Sequence, residues 1–191
     1  MEACRITASD LACRRGDRVL FAGLSLELSG GQACQVAAPN GMGKSSLIRI
    51  LAGLLRPFAG TVERRGMIGL LDERPALDEH QPLGTALGFW QRLDGGAAPL
   101  DLLGLAELAD VPVRYLSTGQ RKRAALARLI GQQASVWLLD EPLNGLDTKG
   151  VALVEALVAD HCARGGIALI ASHQTFALPG LAQLDLARFA R

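Results

Sequence analysis

Aromatic residues are scarce, with two Trp, one Tyr and five Phe among 191 residues. A core built from this chain therefore rests on Leu, Ala, Val and Ile. Charge of one sign is also missing. Twenty Lys and Arg stand against nineteen Asp and Glu, a formal net charge of +1. General nucleic-acid binders carry a basic excess, so no nucleic-acid partner is expected. No apolar run nears the roughly 18 residues of a membrane span. The longest, Val136–Leu139 and Ile167–Ala171, have the length of buried strands. Met1-Glu2-Ala3-Cys4-Arg5 carries an acid and no apolar core, so no secretory signal is expected. The four cysteines, Cys4, Cys13, Cys34 and Cys162, lie 9, 21 and 128 residues apart. That spacing fits neither a disulfide framework nor a zinc site, and reduced, packed thiols in a cytoplasmic setting are expected.

What is present is a folded composition, 49% hydrophobic and 20% charged, at a length suited to one α/β domain. Long linkers, charge blocks and repeats are absent. Val19-Leu20-Phe21 and Leu24–Leu28 alternate in the manner of β-structure, with Gly30-Gly31 as a turn. Gln32–Ala37 reads as a short strand feeding a Gly-containing loop. From Ser45 the apolar positions Leu47, Ile48, Leu51, Leu54 and Leu55 follow helical spacing, and Pro57 is expected to stop that helix. A second β-patch is expected over Thr61–Leu71. Short helices separated by Gly and Pro are expected from about Asp78 to Tyr115. Then come a strand at Ser135–Asp140, a helix over roughly Lys149–Cys162 and a strand at Ile167–Ser172. Strands alternating with helices imply a largely parallel, buried sheet.

Ala38-Pro39-Asn40-Gly41-Met42-Gly43-Lys44-Ser45, followed by Ser46, stands between an expected strand and an expected helix. That is the context of a phosphate-binding loop. Small residues let backbone N–H groups reach phosphate oxygens, and the helix start adds a favourable dipole. Lys44 is suited to the β- and γ-phosphates and the Ser45 hydroxyl to Mg²⁺. Ala38 stands where the pattern has its first glycine. A Gly-rich turn that merely caps a helix is the plainer alternative; the strand-to-helix context favours the phosphate loop.

Val136-Trp137-Leu138-Leu139-Asp140-Glu141 is an apolar strand ending in two carboxylates, 96 residues after Lys44. Beside such a loop, Asp140 would hold Mg²⁺ through water and Glu141 would face a water attacking the γ-phosphate. Taken alone, the pair is equally well a solvated strand end. Leu116-Ser117-Thr118-Gly119-Gln120 opens a basic helix and can act as a second anion site or as an ordinary N-cap. Downstream come Leu143-Asn144-Gly145-Leu146-Asp147 and the strand-end Ser172-His173-Gln174.

The order of these five elements resembles the nucleotide-binding domain of the ABC ATPase family, over about Leu11 to Phe176. The resemblance implies an α/β P-loop NTPase: an ABC-type ATPase domain with a RecA-like core, an antiparallel β subdomain and a small helical subdomain. It implies one domain over 1–191, with the core at about 1–77 and 116–191 and the helical part at about 78–115. It implies ATP and Mg²⁺ as ligands. Two copies would pair head to tail, Ser117, Thr118, Gly119 and Gln120 of one capping the γ-phosphate held by Lys44 of the other. Asp147 would couple the sites and His173 would contact the γ-phosphate. The helical part would meet integral membrane subunits, placing the chain peripherally on the cytoplasmic face of a bacterial inner membrane.

Within the family, four features are similar to the ATP-binding subunits of the haem exporters of cytochrome c maturation. They are the minimal length, Thr118 in the signature, Leu138–Asp147 running on to Gly150-Val151, and Gly165-Gly166 before Ser172-His173-Gln174. Haem would then be handled only indirectly, since no Cys-x-x-Cys-His motif or histidine pair is visible. Two positions depart from the family pattern. The Q-loop glutamine is replaced by Arg74 in an ungapped reading, with Gln81 available only if the loop shifts. No aromatic stands where adenine would stack, which leaves Arg15 as the candidate. The alternatives are a different ABC exporter, a soluble ABC ATPase of DNA repair or translation, and a module that binds nucleotide without hydrolysing it. The lack of a coiled-coil insertion or second ATPase unit weighs against the soluble ATPase. The retained Lys44, Asp140, Glu141 and His173 weigh against the last.

Overall fold

The computed structural model describes residues 4–191; the opening residues 1–3, on which the secretory-signal expectation partly rests, lie outside it. The chain runs β1 (Arg5–Arg15), β2 (Arg18–Ser29), β3 (Ala33–Ala37), α1 (Lys44–Leu51), β4 (Ala59–Arg65), β5 (Ile68–Leu71), α2 (Leu83–Asp94), α3 (Thr118–Gly131), β6 (Val136–Asp140), α4 (Thr148–Ala163), β7 (Ile167–Ala171) and β8 (Ala182–Asp185). Strands β2-β1-β4 form an antiparallel sheet, and β5-β6-β7-β3-β8 form a second sheet with every pairing parallel.

Central parallel strands are covered on both faces, which is why their sequences are apolar without alternation. Val136, Leu138 and Leu169 pack with α1 and the antiparallel sheet, against Leu47, Ile50, Phe21 and Leu24. Trp137, Leu139 and Ile170 face the other way, toward Leu126, Leu129, Val154 and Val158 of α3 and α4. The period-2 alternation of strand side chains thus feeds two separate cores. The four cysteines are buried and free, and burial pushes the Cys34 thiol up to about 11.

Three sequence expectations are corrected. Pro57 does not stop the first helix: α1 ends at Leu51, Gly53 follows at φ 80°, and Leu54 is 69% exposed. The Arg64 guanidinium donates to the Leu51 and Ile50 carbonyls at 2.7 and 2.6 Å and so closes the helix C-terminus. The patch Thr61–Leu71 is two strands in different sheets, β4 antiparallel and β5 parallel, with Gly66 at φ 99° between them. The stretch 78–115 holds one true helix, α2, while the rest is turns and 3-10 segments at Ala106–Leu108 and Val113–Tyr115. Strand β8 was not expected from the sequence.

At the N-terminal ends of the parallel strands, opposite the loop after β3, the His161 ring stacks on Trp137, centroids 4.0 Å and planes 8° apart. Its Nε2 donates to the Ile167 carbonyl at 3.2 Å. Burial lowers its pKa below the usual 6.5, the Ile167 carbonyl opposing. Near that value the unfolded chain takes up a proton that the folded chain refuses. Stability is therefore fully present above 6.5 and falls as pH drops through it. In His161→Phe, which keeps a stacked ring, urea midpoints are expected to fall less than in the parent between about pH 7 and 5. Equal slopes would assign the acid sensitivity to other groups.

Candidate nucleotide site

Three parallel strands, β3, β6 and β7, end on one side of the sheet, where ligands of open α/β sheets bind. The loop after β3 runs into α1, whose N-cap is Gly43 at φ 102°. A Cβ there would lie 3.3 Å from the Leu20 and Phe21 side chains, so both conformation and space call for glycine. Ala38 needs no such freedom: among the described residues only Asp10, Gln133 and Glu141 are non-glycines at positive φ. The alanine departure therefore leaves the loop unstrained. Lys44, 6% exposed, donates from Nζ to the Ala38 carbonyl at 2.7 Å and to Asn40 Oδ1 at 3.5 Å.

Asp140 ends β6 and is 4% exposed. Burial raises its pKa, a hydrogen bond with the Ser45 side chain opposes this, and Glu141 and Glu73 add to the rise. Its Oδ1 is buried without a hydrogen-bond partner. A buried carboxylate oxygen left unsatisfied beside a hydroxyl is a donor set suited to a hard cation. Glu141 turns left-handed at φ 47° as the chain leaves the strand, its N–H donating to the Ala171 carbonyl at 2.8 Å. That turn sends its carboxylate to Lys44 Nζ at 3.7 Å and His173 Nδ1 at 3.0 Å. The histidine turn is itself held: Gln174 N–H donates to Ser172 Oγ at 3.0 Å, and Gln35 Nε2 to the Gln174 carbonyl at 2.7 Å.

Asn40, Gly41, Gly43, Lys44, Ser45, Ser46, Glu141 and His173 line one cleft of about 400 Å³, joined by Leu20, Glu73 and Asn144. Ala38 and Pro39 border the adjoining cavity with His173, and the Met42 N–H donates to the Pro39 carbonyl at 3.4 Å. Ser117, Thr118, Gly119 and Gln120 do not reach this cleft. They start α3 in a capping box, Gln120 N–H donating to Ser117 Oγ at 3.2 Å and Ser117 N–H to Gln120 Oε1 at 2.8 Å. Asp147 caps α4, accepting from Gly150 N–H at 2.8 Å. The two segments touch: a Cβ on Gly119 would meet the Gly145 carbonyl at 2.8 Å.

Arg15 lies exposed at the β1–β2 hairpin, outside the phosphate cleft. Its neighbour Arg14 stacks on Phe58 at 4.5 Å. At the Q-loop position neither candidate enters the cleft. Arg74 lines a cavity along the β5 edge, and Gln81 lines another beside Thr85 and Trp90. Glu73 lines the cleft instead. Sequence reasoning missed Glu73, Asn144 and Lys122, whose Nζ donates to the Glu141 carbonyl. Asn144 lies within a quoted motif that gave it no role, and Glu73 and Lys122 stand within two residues of one; only the packing of loop and helix brings them to the site.

The comparisons agree with this geometry. The model of the ABC transporter family matches residues 21–144. The cytochrome c biogenesis ATP-binding export protein CcmA of Novosphingobium aromaticivorans is 59% identical, covering 99% of both chains. Those of Sphingopyxis alaskensis and Zymomonas mobilis are 54% and 48% identical, covering 91% and 97% of this chain and 92% and 86% of their own. Among solved structures, an ABC transporter ATP-binding protein from Pyrococcus furiosus shares the fold at TM-score 0.83 and 20% identity, covering 98% of this chain and all of that one. With Lys44, Ser45, Glu141 and the strand-end His173 in one cleft, and relatives matching end to end, the chain belongs to the ABC transporter ATPase family, among the CcmA cytochrome c biogenesis ATP-binding export proteins.

Proposed function

We propose that the cleft binds ATP with Mg²⁺ and that two copies of the chain hydrolyse it at a shared interface, driving a membrane exporter of cytochrome c maturation. The observation that carries this is the convergence of Lys44, Ser45, Glu141 and His173 on one cleft, with the partnerless Asp140 oxygen buried behind Ser45. Loop N–H groups and Lys44 hold the β- and γ-phosphates. Ser45 and Asp140 would hold Mg²⁺, which supplies charge neutralisation of the phosphate oxygens when bound. Glu141 accepts a proton from the attacking water as the new P–O bond forms and the bond to the ADP oxygen breaks. His173 Nδ1 lies 3.0 Å from the Glu141 carboxylate, a contact that orients the ring beside the attacking group.

Ser117–Gln120 does not line its own copy's cleft and is exposed at Ser117 and Thr118, which suits it to cap the triphosphate of a second copy. Asp147, whose loop abuts that segment, would link the two sites. Ser117→Arg is expected to abolish hydrolysis while a single chain still binds ATP with near-parental affinity. Lost binding in that variant would place the segment in its own cleft.

The membrane partners would be CcmB- or CcmC-like subunits, meeting the helical part of residues 78–115. Phe89, Leu93, Leu102 and Tyr115 are there 50–66% exposed. No helix of the described residues is long and apolar enough to cross a membrane, and the chain would sit peripherally on the cytoplasmic face of the inner membrane. Haem would pass through the partners and not touch this chain. Isolating the complex from detergent-solubilised membranes tests the assignment: cytochrome c maturation proteins are expected to co-purify, and an unrelated permease would reassign the chain to another ABC exporter.

A further inference from the structure

The ammonium of Lys122 is a buried cation that the phosphate chemistry leaves unused. It lies on α3, in the first turn after Ser117–Gln120, and is 9% exposed. Its Nζ donates to the main-chain carbonyl of Glu141 at 3.0 Å. Among the described residues it makes no ion pair within 4.0 Å, although Glu73, Asp140, Glu141 and Asp72 all favour its charge against the cost of burial. The hydrogen bond thus goes to backbone while the surrounding carboxylates balance the charge.

That carbonyl belongs to the strained residue of the site. Glu141 sits at φ 47°. A left-handed residue with a Cβ is strained and persists where its neighbours fix it. Three bonds fix this one: its N–H to Ala171 at 2.8 Å, its carbonyl to Asn144 N–H at a long 3.4 Å, and Lys122. The Lys122 bond is charge-assisted and the strongest hold on the carbonyl. Rotating the peptide to an ordinary conformation would break it and swing the Glu141 side chain off Lys44 and His173.

We propose that Lys122 is a positioning residue for Glu141, holding the left-handed turn that aims the base into the cleft. Given the function proposed above, it also ties each copy's base to the helix start that caps the other copy's triphosphate. Withdrawal of α3 by about 1 Å along the bond takes this 3.0 Å contact out of hydrogen-bond range. The base of one site is then aligned only while α3 is seated, which couples chemistry in one cleft to occupancy of the other.

The test uses the full chain with its membrane partners and Mg-ATP. Lys122→Met keeps the length and apolar stem but removes the donor. Its kcat is expected to fall roughly 10- to 100-fold with KM for ATP within about twofold. Lys122→Arg, which restores a cationic donor, should recover most of the loss. In a Glu141→Gln background Lys122→Met should lower the residual rate no further, since both changes act through one group. Should Lys122→Met fail to fold, Lys122→Leu, which also lacks a donor, replaces it under the same criteria. A parental kcat in Lys122→Met, a KM that rises in step with the loss, or additive effects in the double variant would overturn the proposal. If Glu141→Gln is inactive while Lys122→Met is normal, only the tether falls. If Glu141→Gln itself turns over normally, the base assignment falls with it.

Discussion

Lys44→Ala is expected to weaken ATP binding by roughly 10- to 100-fold, measured by equilibrium titration of the full chain with a fluorescent ATP analogue. The size follows from one charge-assisted contact to phosphate, worth about 1.5–3 kcal/mol. Lys44 is well placed to supply it. Its ammonium is 6% exposed and folded against the Ala38 carbonyl, so its reach toward the loop is already fixed. The variant should stay folded, because Leu47, Ile48, Ile50 and Leu51 anchor α1 independently of the lysine head group. An unchanged affinity would show that phosphates are held elsewhere.

Glu141→Gln should separate binding from chemistry. The amide keeps the size of the carboxylate but cannot accept the proton of an attacking water. Hydrolysis is expected to fall by about 10²- to 10⁴-fold while ATP affinity changes little. With the exit step blocked, ATP should drive the chain into a stable dimer, read by light scattering of the eluting peak. Removing one charge also relieves repulsion on Asp140, whose pKa Glu141 helps to raise. Asp140 is therefore easier to ionise in the variant. Parental turnover would remove Glu141 from the base role.

The motifs themselves were legible because each is local. A loop that admits backbone to phosphate needs small residues in a row, and a buried parallel strand needs an unbroken apolar run. The paired carboxylates, the Ser117 start of α3 and the strand-end His173 could all be read for the same reason. Boundaries set by packing were not legible. The split of Thr61–Leu71 between two sheets depends on Gly66 and on the pairing partners of β4 and β5, which lie far away in the chain. The end of α1 depends on Arg64, a β4 side chain that supplies its cap. Glu73 in place of Arg74 or Gln81 at the cleft depends on the path of a loop that carries no periodic signal.

The sequence by itself determined the chemistry on offer: a phosphate loop, a strand-borne acid pair and a histidine, in a fixed order along the chain. Only the tertiary structure decided that they meet. Parallel pairing of β3, β7 and β6 brings three chain-distant C-terminal ends to one edge. The side chains there come within 3–4 Å of one another because adjacent strands lie only about 4.8 Å apart. The left-handed Glu141 and the Lys122 bond that holds it are likewise tertiary facts. They arise from a helix and a strand end packed together, and no spacing in the chain encodes them.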